Sequence, residues 1–311
     1  VQVPALHRKG LRYRPGLDLR SHQMGQVLAL MGPVMVSTWV QPINLTINSK
    51  FGSRLYNGAG VSAIEYATNL YLILAGVFVL SITNVIFPKL SRLSAGDDQN
   101  AFTDTLRQTL RGTLFFVLPM AAGLMILSRP LVSFLYGDGE FDACSIQITS
   151  QGLFWVSLGM AGYAVQNILS RAYFARQKGK IPLLAGGASI LVNILLCVVL
   201  TQPFGVAGLA VSSAVSSTVY ALLLLLPMQR RETLLTTALW SAFGRMLAAA
   251  LLMSAAAAGV CRLTDGLLAG KLGLLLTLGA TALAGVLVYF GAAVLLRLEE
   301  TAILKKLLKR G

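Results

Sequence analysis

Acidic side chains are scarce in this chain and histidine is nearly absent, and these shortages remove most soluble chemistry. Asp and Glu number 12 against 26 Lys and Arg, and both histidines, His7 and His22, fall in the basic opening segment. Zinc coordination and His-based acid–base catalysis have almost nothing to build on. Asp97, Asp98, Asp104, Asp138, Glu140 and Asp142 sit in loop-like stretches without neighbouring His or Lys. They read as solvated turns rather than as a paired-carboxylate site. Cys144, Cys197 and Cys261 lie far apart, with neither metal spacing nor the pattern of a disulfide framework. No GxxxxGK[ST] run offers a nucleotide cradle. No enzyme activity and no metal site are expected.

Charge of any kind is in short supply. Charged residues make up 12% of the 311, where soluble domains carry about 25%. Hydrophobic residues reach 55% and the mean hydropathy is +0.70. So much apolar surface cannot be buried in one soluble core, and lipid is the solvent for most of the chain.

What is present is a series of long apolar runs with basic mouths. From Val61 to Pro88 the only charge is Glu65, and about 28 residues of helix extend ~42 Å, more than a bilayer core requires. Spans are expected at 24–49, 61–88, 112–128, 146–170, 181–201, 204–228, 243–261 and 272–296. A short surface helix is expected within 89–111, a tight Gln-Pro turn between the fifth and sixth spans, and an interfacial amphipathic helix with a Trp anchor near 229–245. The fold class is therefore all-α, a polytopic transmembrane bundle of about eight spans. Its divisions are a basic segment (1–23), six helices (24–228), an interfacial linker (229–242), two further helices (243–297) and a basic amphipathic tail (298–311). The chain opens without Met, and its first span is too long for a signal peptide. Its beginning is expected to lie upstream.

The net charge of +14 is a topology signal. All Lys and Arg but five (Lys50, Arg54, Arg129, Arg262 and Lys271) fall in the mouths on the side of the N-terminus. By the positive-inside rule both ends are cytoplasmic, and nucleic acid is not an expected partner.

Polar residues inside spans carry the functional reading. Asn44 and Asn48 stand at i, i+4 on one helix face. Ser62, Glu65, Tyr66, Thr68, Asn69 and Tyr71 crowd the outer third of the second span. Gln166, Asn167 and Asn193 add amides elsewhere. Such groups serve either as interhelical hydrogen bonds or as walls of a hydrated path. The single amides favour the first use and the cluster of residues 65–71 the second.

Five segments in order carry a resemblance: LMGPVMVSTWVQPINLTINSKFGS, YATNLYLILAGVFVLSITNVIFPKLSRL, LYGDGEFDA, GYAVQNILSRAYFARQKGKIPL and FGVAGLAVSSAVS. Together they resemble the MurJ/MviN lipid II flippases of the MOP exporter superfamily, over residues 1 to about 300. The resemblance implies a MurJ/MATE-like fold, these spans being the second lobe plus the last two helices of a fourteen-helix transporter. A six-helix N-terminal lobe is then missing from this chain. It implies a flippase of the bacterial cytoplasmic (inner) membrane, in peptidoglycan biosynthesis, that moves lipid II or a similar undecaprenyl-diphosphate-linked precursor by alternating access. A flippase for another lipid-linked oligosaccharide, a MATE-type exporter and a non-transporting scaffold of a cell-wall complex are the alternatives. Partners are that precursor, membrane lipids and the missing lobe.

Residue by residue, Lys50, Ser62, Asn69, Asn44 and Tyr66 are implied for substrate binding. Asn69 stands where many members of the family carry Arg or Lys. Asn48 and Asn193 match positions linked to a cation site in some members, with Asn48 standing where many have Asp. No cofactor is implied, and the coupling source stays open between sodium and the membrane potential. The last two spans resemble a pair that forms an apolar groove for the lipid tail.

Overall fold

The computed structural model describes residues 38–301 apart from 97, 140 and 265–269, together with Met24, Gly25, Met31 and Met35. The expectations for 1–23 and for the tail beyond 301 lie outside the described residues, as does most of the first half of the span expected at 24–49. Every regular element among the described residues is helical.

Helix α1 (Val40–Gly52) buries Val40, Asn44, Asn48 and Gly52, an i+4 ridge turned inward. A tight turn follows in which Tyr56 (φ 51°), Asn57 (φ 54°) and Gly58 (φ 97°) are all left-handed. Helix α2 (Ala59–Tyr71) passes through a π-turn at Leu72–Gly76 into α3 (Val77–Ala95). The π-turn inserts one residue into the helical repeat and so rotates the faces of α3 against those of α2.

Helix α4 (Gln99–Tyr136) is capped by Asp98, whose carboxylate accepts the Ala101 N–H at 3.0 Å. The expected surface helix is not separate, because no proline interrupts the chain before Pro119 and the amphipathic stretch continues into the span. The fourth span is two helices, α5 (Ala143–Leu158) and α6 (Met160–Ala175), meeting at Gly159. Asp142 caps α5 by accepting the Ser145 N–H at 2.8 Å. The hydroxyl and N–H of Ser145 hold its carboxyl below the ordinary carboxylate range.

Helix α7 (Lys180–Glu232) supplies two spans. It continues through the Gln-Pro pair, where a turn was expected, and reverses at Gly205 (φ 57°, ψ −132°), a backbone conformation open to glycine alone. Residues 233–236 are non-helical and α8 (Thr237–Thr264) starts directly after them. No separate interfacial helix forms, and Trp240 is an exposed residue of the first turns of α8. Helix α9 (Gly270–Leu295) completes the described bundle.

Five of these runs are long and apolar enough to cross a membrane: Tyr56–Ala95, Gln99–Tyr136, Lys180–Arg230, Thr237–Thr264 and Gly270–Leu295. With the α5–α6 pair, with α1 as the described end of the first span, and with Lys180–Arg230 counted as two crossings, the expected set of spans is accounted for. Only 28–33% of the most apolar window in each run is buried. Leu184, Leu191, Leu195, Leu251, Leu272 and Leu287 point outward. An outer surface this apolar belongs in hydrocarbon.

The interior has three apolar clusters. One joins α2 through α7 around Ala67, Val79, Val117, Leu153, Met160 and Leu209. A second gathers Leu90, Leu106, Ile168 and Leu224. The third fastens α8 and α9 to α4 through Phe115, Met246 and Tyr289, whose hydroxyl donates to the Phe115 carbonyl at 2.6 Å. Arg111 of α4 reinforces that attachment by pairing with Glu300 (2.8 Å) and Glu299 (2.9 Å) just beyond α9. Two acids read as solvated also have partners: Asp104 pairs with Arg107 at 2.6 Å, and Asp138 with Lys271 at the head of α9.

Close approach of α6 to the second arm of α7 depends on small residues. A Cβ on Gly162 would lie 2.8 Å from the Thr218 Cα and 2.9 Å from its backbone N. Gly162→Val is therefore expected to separate the two helices, cost about 1–3 kcal/mol and lower the thermal midpoint in detergent. Gly187→Ala, whose Cβ would meet nothing within 4 Å, is the matched change that leaves the midpoint unmoved.

Candidate functional site

The intramembrane polar residues divide into two groups, one buried and one exposed. The buried group is built by the inward ridge of α1 against both arms of α7. Asn48, 2% exposed, donates from Nδ2 to the Ser213 Oγ at 2.6 Å. Its Oδ1 accepts from the Asn193 Nδ2 and from the Cys197 thiol, each at 3.3 Å. Asn193 and Cys197 are fully buried and one turn apart on the first arm of α7, and Ser213 is on the second.

Asn44, one turn before Asn48, faces a small cavity that borders the cluster, lined also by Asn48 and Ser213 themselves and by Thr68, Tyr71 and Ser217. Its Oδ1 is buried without a hydrogen-bond partner. The cavity volume open to water centres is ≈ 20 Å³, room for about one water. It cannot admit a sugar or a diphosphate.

The exposed group is a stripe on α2. Ser62, Glu65, Tyr66 and Asn69 are exposed at i, i+3, i+4 and i+7, while Ala63, Ile64, Ala67 and Leu70 are buried. The stripe continues as apolar Ile73, Val77 and Leu80 and ends in exposed Asn84. Lys50, exposed in the last turn of α1, lies near its outer end in sequence. Ser49 donates to the Glu65 carboxylate at 3.4 Å and links the two helices. The Tyr66 ring packs on Tyr136 (centroids 4.7 Å apart) and Phe141 (5.8 Å).

The structure thus brings Asn48 together with Asn193 and sets Asn44 beside them, but it places all three apart from the exposed set of Ser62, Tyr66 and Asn69. A single convergent passage was expected, and among the described residues there is instead a buried amide cluster and an exposed polar face. Gln166 and Asn167 belong to neither. Asn167 donates to the Tyr163 carbonyl of its own helix at 2.7 Å, and Gln166 is buried with an unpartnered Oε1. Cys197 and Ser213 were missed as cluster members. The i, i+4 spacing of Asn193 and Cys197 within an apolar run was the signal available for one of them.

A cation at the cluster fits poorly. The Asn48 carbonyl oxygen already faces two donors, and Asn193, Cys197 and Ser213 contribute no carboxylate. The expected apolar groove has its counterpart on α8. A channel of ≈ 410 Å³ runs between α6, the second arm of α7 and α8, lined by Val165, Leu222, Leu226, Trp240, Phe243 and Met246. Helix α9 does not line it.

A family model described as "Lipid II flippase MurJ" matches residues 1–279. The chain is 30% identical over 300 residues to a "Probable lipid II flippase MurJ" of Thermotoga maritima, covering 96% of this chain and 58% of that protein. It is 29% identical over 216 residues to a "Probable lipid II flippase MurJ" of Vibrio cholerae, covering 70% of this chain and 41% of that one. Among solved structures, "Lipid II flippase MurJ, inward closed conformation" superimposes with a TM-score of 0.71 at 27% identity, over 93% of this chain and 57% of that chain. An outward-facing multidrug resistance MATE family transporter of the MOP superfamily, 16% identical with a TM-score of 0.56, shares the fold. The chain spans about half the length of the curated relatives it matches.

The buried cluster yields a stability test. Ser213→Ala leaves the Asn48 Nδ2 without its 2.6 Å acceptor. An unsatisfied buried donor costs about 1–3 kcal/mol, although interhelical hydrogen bonds within membranes average nearer ~0.6 kcal/mol. A loss of about 1 kcal/mol in detergent unfolding is expected. The same change at Ser81, which bonds only the Val77 carbonyl of its own helix, should leave stability within error.

Proposed function

The chain belongs to the MurJ lipid II flippase family, and from that premise we propose that it is the C-terminal part of a flippase for lipid II or a similar undecaprenyl-diphosphate-linked precursor. The observation that carries this reading is the uncovered polar stripe of Ser62, Glu65, Tyr66 and Asn69 on a helix whose other faces are buried or apolar. Polar groups at membrane depth need protein or water beside them. In a whole transporter the stripe would form one wall of a hydrated cavity, opposite the six-helix lobe that this chain does not contain.

The sugar-diphosphate head would cross in that cavity while the polyprenyl tail remains in lipid, the two lobes rocking about the site. Ser62, Tyr66 and Asn69 would meet the polar head, with Lys50 supplying positive charge at the outer end. Asn44 would contribute indirectly, through the one-water cavity behind α2. Asn69 offers amide hydrogen bonds to a phosphate in place of a charge-assisted pair. Most of the attraction for the diphosphate then falls to the absent lobe. The basic mouths favour a topology with both ends of this chain on the cytoplasmic side of the inner membrane. The neutral Asn69 also favours a second reading, a flippase for a lipid-linked oligosaccharide of lower charge.

Charge at residue 69 provides the test. At an effective dielectric of about 20, a carboxylate ~6 Å from one phosphate charge costs ~3 kcal/mol, roughly a hundredfold. Asn69→Asp in the full-length protein is expected to abolish rescue of a flippase-depleted cell while the protein level stays normal. Asn69→Lys is expected to preserve rescue. A scaffold would tolerate both changes, and a drug exporter would confer resistance without restoring wall synthesis.

A further inference from the structure

We infer that the cluster of Asn48, Asn193, Cys197 and Ser213 is a charge-neutral hydrogen-bond knot that takes no sodium ion. The inference concerns this cluster and holds whichever lipid is carried.

Three observations support it. The cluster contains no carboxylate, and Glu65 faces outward on α2. A monovalent cation held there would be a buried charge without a countercharge, among the least favourable arrangements in a protein interior. The one oxygen central to the cluster, Asn48 Oδ1, is occupied by donors from two residues of α7. As the amides are turned, the Asn48 and Asn193 N–H groups point at Ser213 and at Asn48 within the cluster, and N–H groups are not cation ligands.

The knot also does mechanically what an ion would do. Asn48 bonds Asn193 and Cys197 on the first arm of α7 and Ser213 on the second, so α1 is tied to both arms. A hard cation held by carboxylates from the same three segments would make the same tie. The chain makes it with neutral groups, and the tie needs no bound ion to stay closed.

Thermal unfolding of the purified full-length protein in sodium, potassium or choline chloride at equal ionic strength tests this. The wild-type midpoint is expected to be the same in all three, and no specific binding of radioactive sodium is expected. Asn48→Asp combined with Cys197→Asp restores the missing charge. In that variant sodium, at ~100 times its dissociation constant, should raise the midpoint by roughly 5 °C over choline. A wild-type midpoint raised by sodium but not by choline or potassium overturns the inference. So does a folded double variant that remains indifferent to sodium, because the residue types would then not decide the response. Should the double variant fail to fold, the wild-type midpoint and the radioactive binding measurement decide the matter.

Discussion

Hydrocarbon offers no hydrogen bonds, and most of what this chain does with its polar groups follows from that. Backbone groups are satisfied within helices, and hydroxyls in the spans largely return to the carbonyl three or four residues back. Ser157 to Leu153 at 2.7 Å, Ser212 to Gly208 at 2.7 Å and Thr113 to Thr109 at 2.8 Å are examples. Asparagine amides are harder to satisfy locally. Asn167 manages it through the Tyr163 carbonyl, but Asn48 and Asn193 bond across helices. Among the interhelical polar contacts, those of Asn48 link three segments.

The same constraint explains why the α2 stripe is informative. A buried amide can be explained by packing alone, and Asn48 is explained that way. An exposed Ser62–Glu65–Tyr66–Asn69 stripe cannot, because the described residues leave it exposed apart from the contacts of Ser49 with Glu65 and of Tyr136 and Phe141 with Tyr66. Exposed leucines on α7, α8 and α9 sit at ease in lipid, and the stripe does not. Two kinds of exposed surface thus coexist on the bundle, one suited to acyl chains and one requiring water or a polar partner. The chain spans about half of its relatives' length, and the face that would lack its partner is the polar one.

Much of this could be read from the sequence. Apolar run length located the spans, because hydrocarbon thickness is met by composition, while the helices run past the expected bounds, 99–136 where 112–128 was expected. The i, i+4 pairing of Asn44 and Asn48 correctly put both on one inward ridge. Continuity and breaks were less legible. The 89–111 connection merged into α4, the Gln-Pro pair at 202–203 stayed helical, and the fourth span broke at Gly159. Proline within a membrane helix is tolerated when its neighbours compensate, so the tight turn expected at the Gln-Pro pair is found two residues later, at Gly205. The single passage expected from the amides became two groups for a related reason. Periodicity tells which residues share a face, but whether that face meets protein or stays open depends on what packs against it.

The described helices are tied together in some places and interrupted in others. The knot joins α1 to both arms of α7, and the left-handed turn at residues 56–58 sets the Tyr56 hydroxyl 2.9 Å from where a Gly205 Cβ would be, directly on the reversal of α7. Helix α1 and the two arms of α7 are thus fastened at mid-depth and at the outer end. Helix α2 is fastened to α1 at its outer end by Ser49 and Glu65, yet the π-turn at Leu72–Gly76 interrupts its regular ladder below that point. A π-turn is a place where a helix can change register at low cost. The polar part of the stripe lies above it and moves with the fastened unit, whereas the apolar part continues into α3 below. Any bending of this helix is therefore expected at the boundary between the stripe's polar and apolar halves, where it would alter the shape of the cavity wall without loosening the knot behind it.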